Sequence, residues 1–298
     1  MSHWRAVALM LLVTLLWSTA GVVTRHLDDA RGFEITFWRS AANALALVVM
    51  LGVLRGPVTL WRCIRTGGRT LWLSALCWCA MYTAFMMALT LTTVANVLVT
   101  MALAPLFTAL LARVLLGYRQ AARTWVAIAV AGGGIAWMYG HELQGGRHLL
   151  GTLVALAVPI AAAVNWTLIQ SLRGREEAPD MLPAVLLGAV LSAVITLPLA
   201  WPLSASARDI GLLLMLGVFQ LAIPCLISVV VARTLPAPEI SLLALLEVLF
   251  GVAWAWLGAG EAPTAAVLGG GALVLVALAG NELLALGSTR SARASSRA

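Results

Sequence analysis

Glu247 lies close to the middle of a 21-residue apolar run, 238–258, where an ionised carboxylate costs at least a few kcal/mol if the run crosses a bilayer. Such a group serves one of two ends. It faces a cavity, where it binds an ammonium group or carries a proton, or it is a hydrogen-bonded group that packs helices. Pro105, 142 residues earlier, occupies the matching place in another apolar run. It removes a backbone donor in mid-helix, and so either unwinds the helix beside a site or only kinks it. Trp78, Tyr82, Phe85 and Leu89 recur at i, i+4, i+7 and i+11, one face of a helix, with Met81 and Met86 flanking it. A stripe of this kind is core packing or the wall of an apolar binding site. Arg39, about five residues inside its own apolar run, is long enough to snorkel to the headgroups, or it stands at an outer gate.

Other chemistry finds no constellation. The four His sit at a terminus or in outer loops, so no metal centre is expected. Cys63, Cys77, Cys79 and Cys225 offer no even set of outside-loop thiols and read as packing residues. With Glu247 almost alone at mid-span, neither an acid/base pair nor a Ser-His arrangement can be assembled, which argues against an enzyme. No G-x-x-x-x-G-K-[ST] motif occurs, and the longest polar connections, near 55–69 and 171–181, are too short for a nucleotide-binding domain. No cofactor is therefore expected. The formal charge of +7 comes from Arg residues scattered over short loops rather than gathered on one face, which does not suit nucleic acid.

The elements that carry these residues follow from composition. Hydrophobic residues are 62% of the 298 and charged residues 10%, against about 45–50% and 25% in soluble domains. One soluble core cannot bury that excess. Ten runs are long enough to cross a bilayer as helices: 5–25, 35–54, 70–90, 95–117, 123–140, 150–170, 182–202, 209–231, 238–258 and 263–284. The first is too long for a signal-peptide core and is expected to be retained. The expected fold is thus an all-α polytopic membrane protein. Of the 19 Arg residues, 14 fall on one side of this arrangement, which puts both termini in the cytoplasm by the positive-inside rule. Arg25, Arg31, Arg147 and Arg208 fall on the other side.

The chain also repeats itself. Trp17-Ser18 returns as Trp166-Thr167 after 149 residues, and the triplet Gly132 to Gly134 returns as Gly269 to Gly271. Five crossings per half is an odd number, so the half 150–284 enters the membrane opposite to the half 1–140. The repeat is then an inverted one, and the substrate site of such a transporter lies between the halves near the bilayer midplane. The glycine triplets read as close helix seams, and 285–298 reads as a short disordered cytoplasmic tail.

Several segments together resemble the EamA-type branch of the drug/metabolite transporter superfamily. They are Leu16-Trp17-Ser18, Phe37-Trp38-Arg39-Ser40, Ala104-Pro105-Leu106, and Leu246-Glu247-Val248-Leu249 followed by Leu257-Gly258-Ala259-Gly260-Glu261. Where the first half should end its fourth helix with an acid, this chain has Gly117-Tyr118-Arg119. Within the branch it looks most like the YddG-type exporters of aromatic amino acids. The resemblance implies ten helices in two inverted five-helix halves, with helices one, three, four, six, eight and nine around the cavity. It adds Trp17, Met101, Trp166 and Phe219 to Tyr82, Met86, Pro105 and Glu247 as the lining. Asn165, Gln220, Ser18, Thr100 and Ser228 are then the uncharged polar groups nearest to it.

The implied function is export of small amphiphilic metabolites, aromatic and other apolar amino acids foremost, across the inner (plasma) membrane. The expected partners are that substrate and the lipid bilayer, with the chain acting as a monomer. Two rivals stand beside it. Proton-coupled efflux of cationic drugs, as in the small multidrug members of the superfamily, wants a carboxylate deep in helix one, where this chain has Trp17. A non-transporting membrane receptor is the other.

Overall fold

The computed structural model describes residues 1–24, 26–92, 97, 100–139, 149–174, 178–259 and 264–295. Arg25, Arg147, Arg175, Arg297, Gly260, Glu261 and part of the expected crossing 95–117 lie outside the described residues. Among those described there is no strand. The helices in order are α1 His3–Trp17, α2 Ala20–Thr24, α3 Phe33–Arg55, α4 Pro57–Thr66, α5 Gly68–Leu91, α6 Ala104–Leu116, α7 Ala122–Tyr139 and α8 Leu149–Ser171. There follow α9 Leu182–Ala200, α10 Ala207–Met215, a π-helical stretch Leu216–Ala222, α11 Ile223–Val231, α12 Ala237–Ala244, α13 Leu246–Ala259 and α14 Ala265–Ser295.

Seven spans among the described residues are long and apolar enough to cross a membrane, and Ala104–Leu116 and Ala265–Asn281 are shorter apolar helices. The outward surface matches that reading: Leu45, Val49 and Val53 of α3 are exposed, Val53 by 81%. On the same helix Thr36, Arg39, Ser40 and Asn43 are buried. Polar residues inward and aliphatic ones outward is the pattern of a helix facing lipid. The chain is a multi-pass membrane protein.

Several expected rods are interrupted, and local chemistry says why. α1 stops at Trp17, where the Ser18 and Thr19 hydroxyls donate back to the Leu15 and Leu16 carbonyls at 2.7 Å each, competing with the helix ladder. α6 starts at Ala104 with Pro105 in its first turn, where a missing N–H removes no bond. It ends at Gly117, whose φ of 64° is left-handed. The expected run 238–258 is two helices, α12 and α13, parted at Leu245. Leu103 and Leu245 stand 142 positions apart, the same register that links Pro105 to Glu247.

Two further differences concern polar segments. The connection expected at 55–69 contains α4, with Val58 and Trp61 exposed and the Arg65 guanidinium 5.0 Å above the Trp61 ring. α14 continues to Ser295, past the expected end at 284 and into the segment expected to be a tail. Its Ala, Leu and Arg residues have favourable helix propensity, which compositional polarity hides.

Packing is close where side chains are absent. α3 lies along α9, α5 along both α8 and α9, α1 along α11, α6 on α8 and α12, and α7 along α14. The two glycine triplets meet in the last pair: a Cβ on Gly134 would sit 2.7 Å from the Gly270 carbonyl oxygen. Because that neighbour is backbone, Gly134→Ala forces the helices apart. The expected result is a loss of about 1–3 kcal/mol of stability, read as a lower midpoint of thermal unfolding in detergent, while Gly133→Ala, with open space around it, leaves the midpoint unchanged. Buried polar pairs join the other helices. Ser40 and Thr83 each share a 2.9 Å hydrogen bond with Ser192, and Ser241 lies 2.8 Å from Thr108.

Candidate functional site

The interrupted helices converge on one cavity with about 130 Å³ of free space. Its walls are aromatic and sulfur-bearing. Trp17 comes from the broken end of α1, Trp78, Met81, Tyr82 and Phe85 from α5, Met101 from the segment before α6, and Trp166 from α8. The Trp78 and Tyr82 rings stack with centroids 5.6 Å apart and planes at 29°. Trp166 meets Trp78 edge-on at 5.6 Å and 86°. Offset and edge-to-face contacts of this kind hold the rings in place at little entropy cost.

Polar groups in the wall are few. Gln220 reaches in from the π-helical stretch and donates through Nε2 to the Trp17 carbonyl at 3.2 Å. Ser241 contributes a hydroxyl from α12. Glu247 stands in the first turn of α13, half-buried, where the positive end of the helix dipole favours a carboxylate. Arg39 enters from α3 and is 1% exposed. Its Nη2 donates to the Tyr82 carbonyl at a long 3.4 Å, and its Nε and Nη1 have no partner. The Tyr82 hydroxyl lies beside Asn43 and Cys225 without a hydrogen bond of ordinary geometry to either. The arrangement can hold an amphiphile: a broad apolar surface, one cation and one carboxylate.

The structure thus brings Trp17, Tyr82, Met101, Trp166 and Glu247 around a single cavity, and leaves Met86, Pro105 and Phe219 off it. Met86 is buried but one position past Phe85, a sixth to a third of a turn round α5 from the cavity face. Pro105 is buried behind Ala104, the α6 residue that does reach the cavity. Phe219 is 57% exposed on the outer surface. It sits in the π-helical stretch, whose wider i→i+5 turn shifts the azimuth, so its neighbour Gln220 faces inward instead.

Of the uncharged polar groups named from sequence, Gln220 is in the wall. Asn165 is fully buried and accepts from Ser74 at 2.6 Å, Ser18 accepts from the Trp254 indole at 3.0 Å, and Ser228 donates to the Cys225 carbonyl. Of the two expectations for Arg39, burial to 1% exposure speaks against a side chain that snorkels to the headgroups and leaves the gate role standing. The signal was present in the buried polar face Thr36, Arg39, Ser40 and Asn43, at helical spacing with Leu47 and Leu51.

Carboxylates tie the segments that frame the cavity at its two ends. Asp209 accepts from the backbone N–H groups of Asp28, Asp29 and Ala30 at 2.9, 2.8 and 2.9 Å. Glu34 accepts from those of Ser204 and Ala205 at 2.9 and 2.8 Å. At the other end Asp180 pairs with Arg55 and Arg233 at 3.1 Å each, and Glu239 lies 3.4 Å from His3. Most of these contacts join the first half of the chain to the second.

A search of curated proteins finds no match. A solved crystal structure of another protein superposes with a TM-score of 0.79 over 95% of this chain and 98% of its own, at 17% identity, which shows a shared fold. Residues 4–140, which carry α1 to α7 and the Trp17, Arg39, Trp78, Tyr82 and Met101 side of the cavity, match the model of the EamA-like transporter family.

Proposed function

We propose that this chain is a secondary transporter that exports small amphiphilic metabolites, apolar and aromatic amino acids foremost, by alternating access around the cavity between Trp17 and Trp166. The observation that carries the reading is one aromatic cavity flanked by helices broken at Leu103 and Leu245, 142 residues apart. Broken helices at related positions of two halves are how secondary transporters bring backbone polar groups to a substrate at the midplane.

The same reading makes ten crossings in two halves, 1–140 and 150–284, inserted in opposite senses. Packing supports it. The pair α1 with α11 answers the pair α8 with α5, α3 with the π-helical stretch answers α9 with α5, and α6 with α8 answers α12 with α1. The carboxylate ties at the two ends are then the contacts that break alternately as the halves rock, and Glu247 is the group that meets the substrate ammonium or carries a proton.

Orientation has its own test. With the native cysteines replaced, Arg65→Cys in α4 is expected to resist a membrane-impermeant thiol reagent in intact cells and to react in inverted vesicles, because both termini and this connection are cytoplasmic and the membrane is the inner one. Labelling from outside would reverse the topology. Transport itself is tested by counterflow of labelled phenylalanine in proteoliposomes of the purified chain. Accumulation above that of protein-free liposomes is expected, and its absence would leave the receptor reading.

A further inference from the structure

We propose that Arg39 is the carboxylate-binding group of the cavity, so that the site takes a zwitterion whose acid end meets Arg39, whose ammonium meets Glu247 and whose apolar body lies on the aromatic walls. This deepens the transport reading and rests on it only for what happens after binding.

The inference starts from an unmet demand. Buried polar atoms are almost always hydrogen-bonded, and a guanidinium keeps its proton at neutral pH, with five donors and no acceptor. Arg39 is almost fully buried in a membrane-spanning helix, yet two of its three nitrogens have no partner and the third makes one long bond. None of the ion pairs among the described residues includes it. A cation in that position is retained when something it binds completes it.

The cavity decides what that something is. The wall residues that act on the guanidinium are Cys225 and Tyr82, neither of them an anion, and Glu247, which lies beyond ion-pair distance of it, so the acceptor that completes Arg39 is supplied by the ligand. A planar fork of donors matches a carboxylate or a phosphate. A phosphate brings up to two negative charges to a space that already holds Glu247 and, among the described lining residues, a single Arg. A carboxylate brings one, and if its molecule also carries an ammonium, Glu247 is matched as well. The unpaired carboxyl and the unpaired guanidinium line one cavity without joining each other. The stacked rings of Trp78 and Tyr82 and the edge of Trp166 line the same cavity. That is the inventory an α-amino acid with an apolar side chain presents in reverse.

The test is binding to the purified full-length chain in detergent, followed by tryptophan fluorescence, with phenylalanine, phenethylamine and 3-phenylpropionate. Phenethylamine lacks the carboxylate and 3-phenylpropionate lacks the ammonium. Phenylalanine is expected to bind at least about tenfold more tightly than either. Arg39→Gln should weaken phenylalanine and 3-phenylpropionate by a similar factor and leave phenethylamine unchanged. If wild type binds phenethylamine as tightly as phenylalanine, or binds none of the three at millimolar concentration, the assignment is overturned. Equal weakening of all three by Arg39→Gln also overturns it, because a group that merely balances Glu247 would act that way. The wild-type series decides the matter even if the variant does not fold. Graded binding without phenylalanine counterflow would sink the transport reading and leave Arg39 as the anion-binding group.

Discussion

Phenylalanine flux through proteoliposomes is expected to lose its response to a pH gradient when Glu247 is replaced by Gln, while downhill exchange at matched pH continues. The expectation follows from where the carboxyl stands. Glu247 lines the cavity in the first turn of α13 and makes no hydrogen bond or ion pair among the described residues, so it is free to gain and lose a proton as the cavity opens to either side. Gln has nearly the same shape and cannot titrate. Uptake of labelled phenylalanine at matched and mismatched pH, wild type beside Glu247→Gln, is the measurement. A gradient effect of equal size in both would remove Glu247 from coupling. Wild-type flux that ignores the gradient would make the transporter a facilitator.

Trp166→Ala is expected to weaken phenylalanine binding by about tenfold or more, equivalent to about 1.4 kcal/mol. Trp166 is buried, lines the cavity and holds Trp78 by an edge contact, so its removal takes away a wall and unpins the stack with Tyr82. Removing a buried Trp also costs about 3–5 kcal/mol of stability in well-packed cores, so the unfolding midpoint should fall. Trp166→Phe keeps an aromatic edge and should recover most of both losses. Tryptophan quenching and thermal unfolding on the same preparations check the pair. Wild-type affinity in Trp166→Ala would remove this wall from the site.

Much of the arrangement can be read from residue types and spacing. The face of α5 that carries Trp78, Tyr82 and Phe85 is visible as a helical period, and all three reach the cavity. The glycine triplets lack side chains for a reason that packing supplies, because they are where α7 and α14 touch. The interruptions at Leu103 and Leu245 fall beside Pro105 and Glu247, the two residues that disturb otherwise apolar runs.

What was not legible depends on geometry that spacing cannot carry. Phe219 enters the expected lining through the family resemblance alone, and the π-helical stretch that carries it turns the ring outward and its neighbour Gln220 inward. For Arg39, the general tendency of long cations to snorkel is one of two expectations, and the neighbouring buried polar face of α3 overrides it. Pro105 sits in the first turn of α6, beside the break, but the wall belongs to Ala104, since the residue next to a break need not be the one that faces the space. α4 was hidden by its low mean hydropathy, because an amphipathic helix at a membrane edge is neither a crossing nor a loop.

The central claim is that the cavity selects an apolar amphiphile and moves it. Competition against labelled phenylalanine flux in proteoliposomes measures that directly, with unlabelled tyrosine, tryptophan, leucine, arginine and glutamate as competitors. Walls of Trp17, Trp78, Tyr82, Phe85 and Trp166, with one carboxylate and one guanidinium between them, predict that the aromatic and apolar amino acids compete and that arginine and glutamate do not. Direct flux of labelled arginine or glutamate as fast as that of phenylalanine would contradict the account.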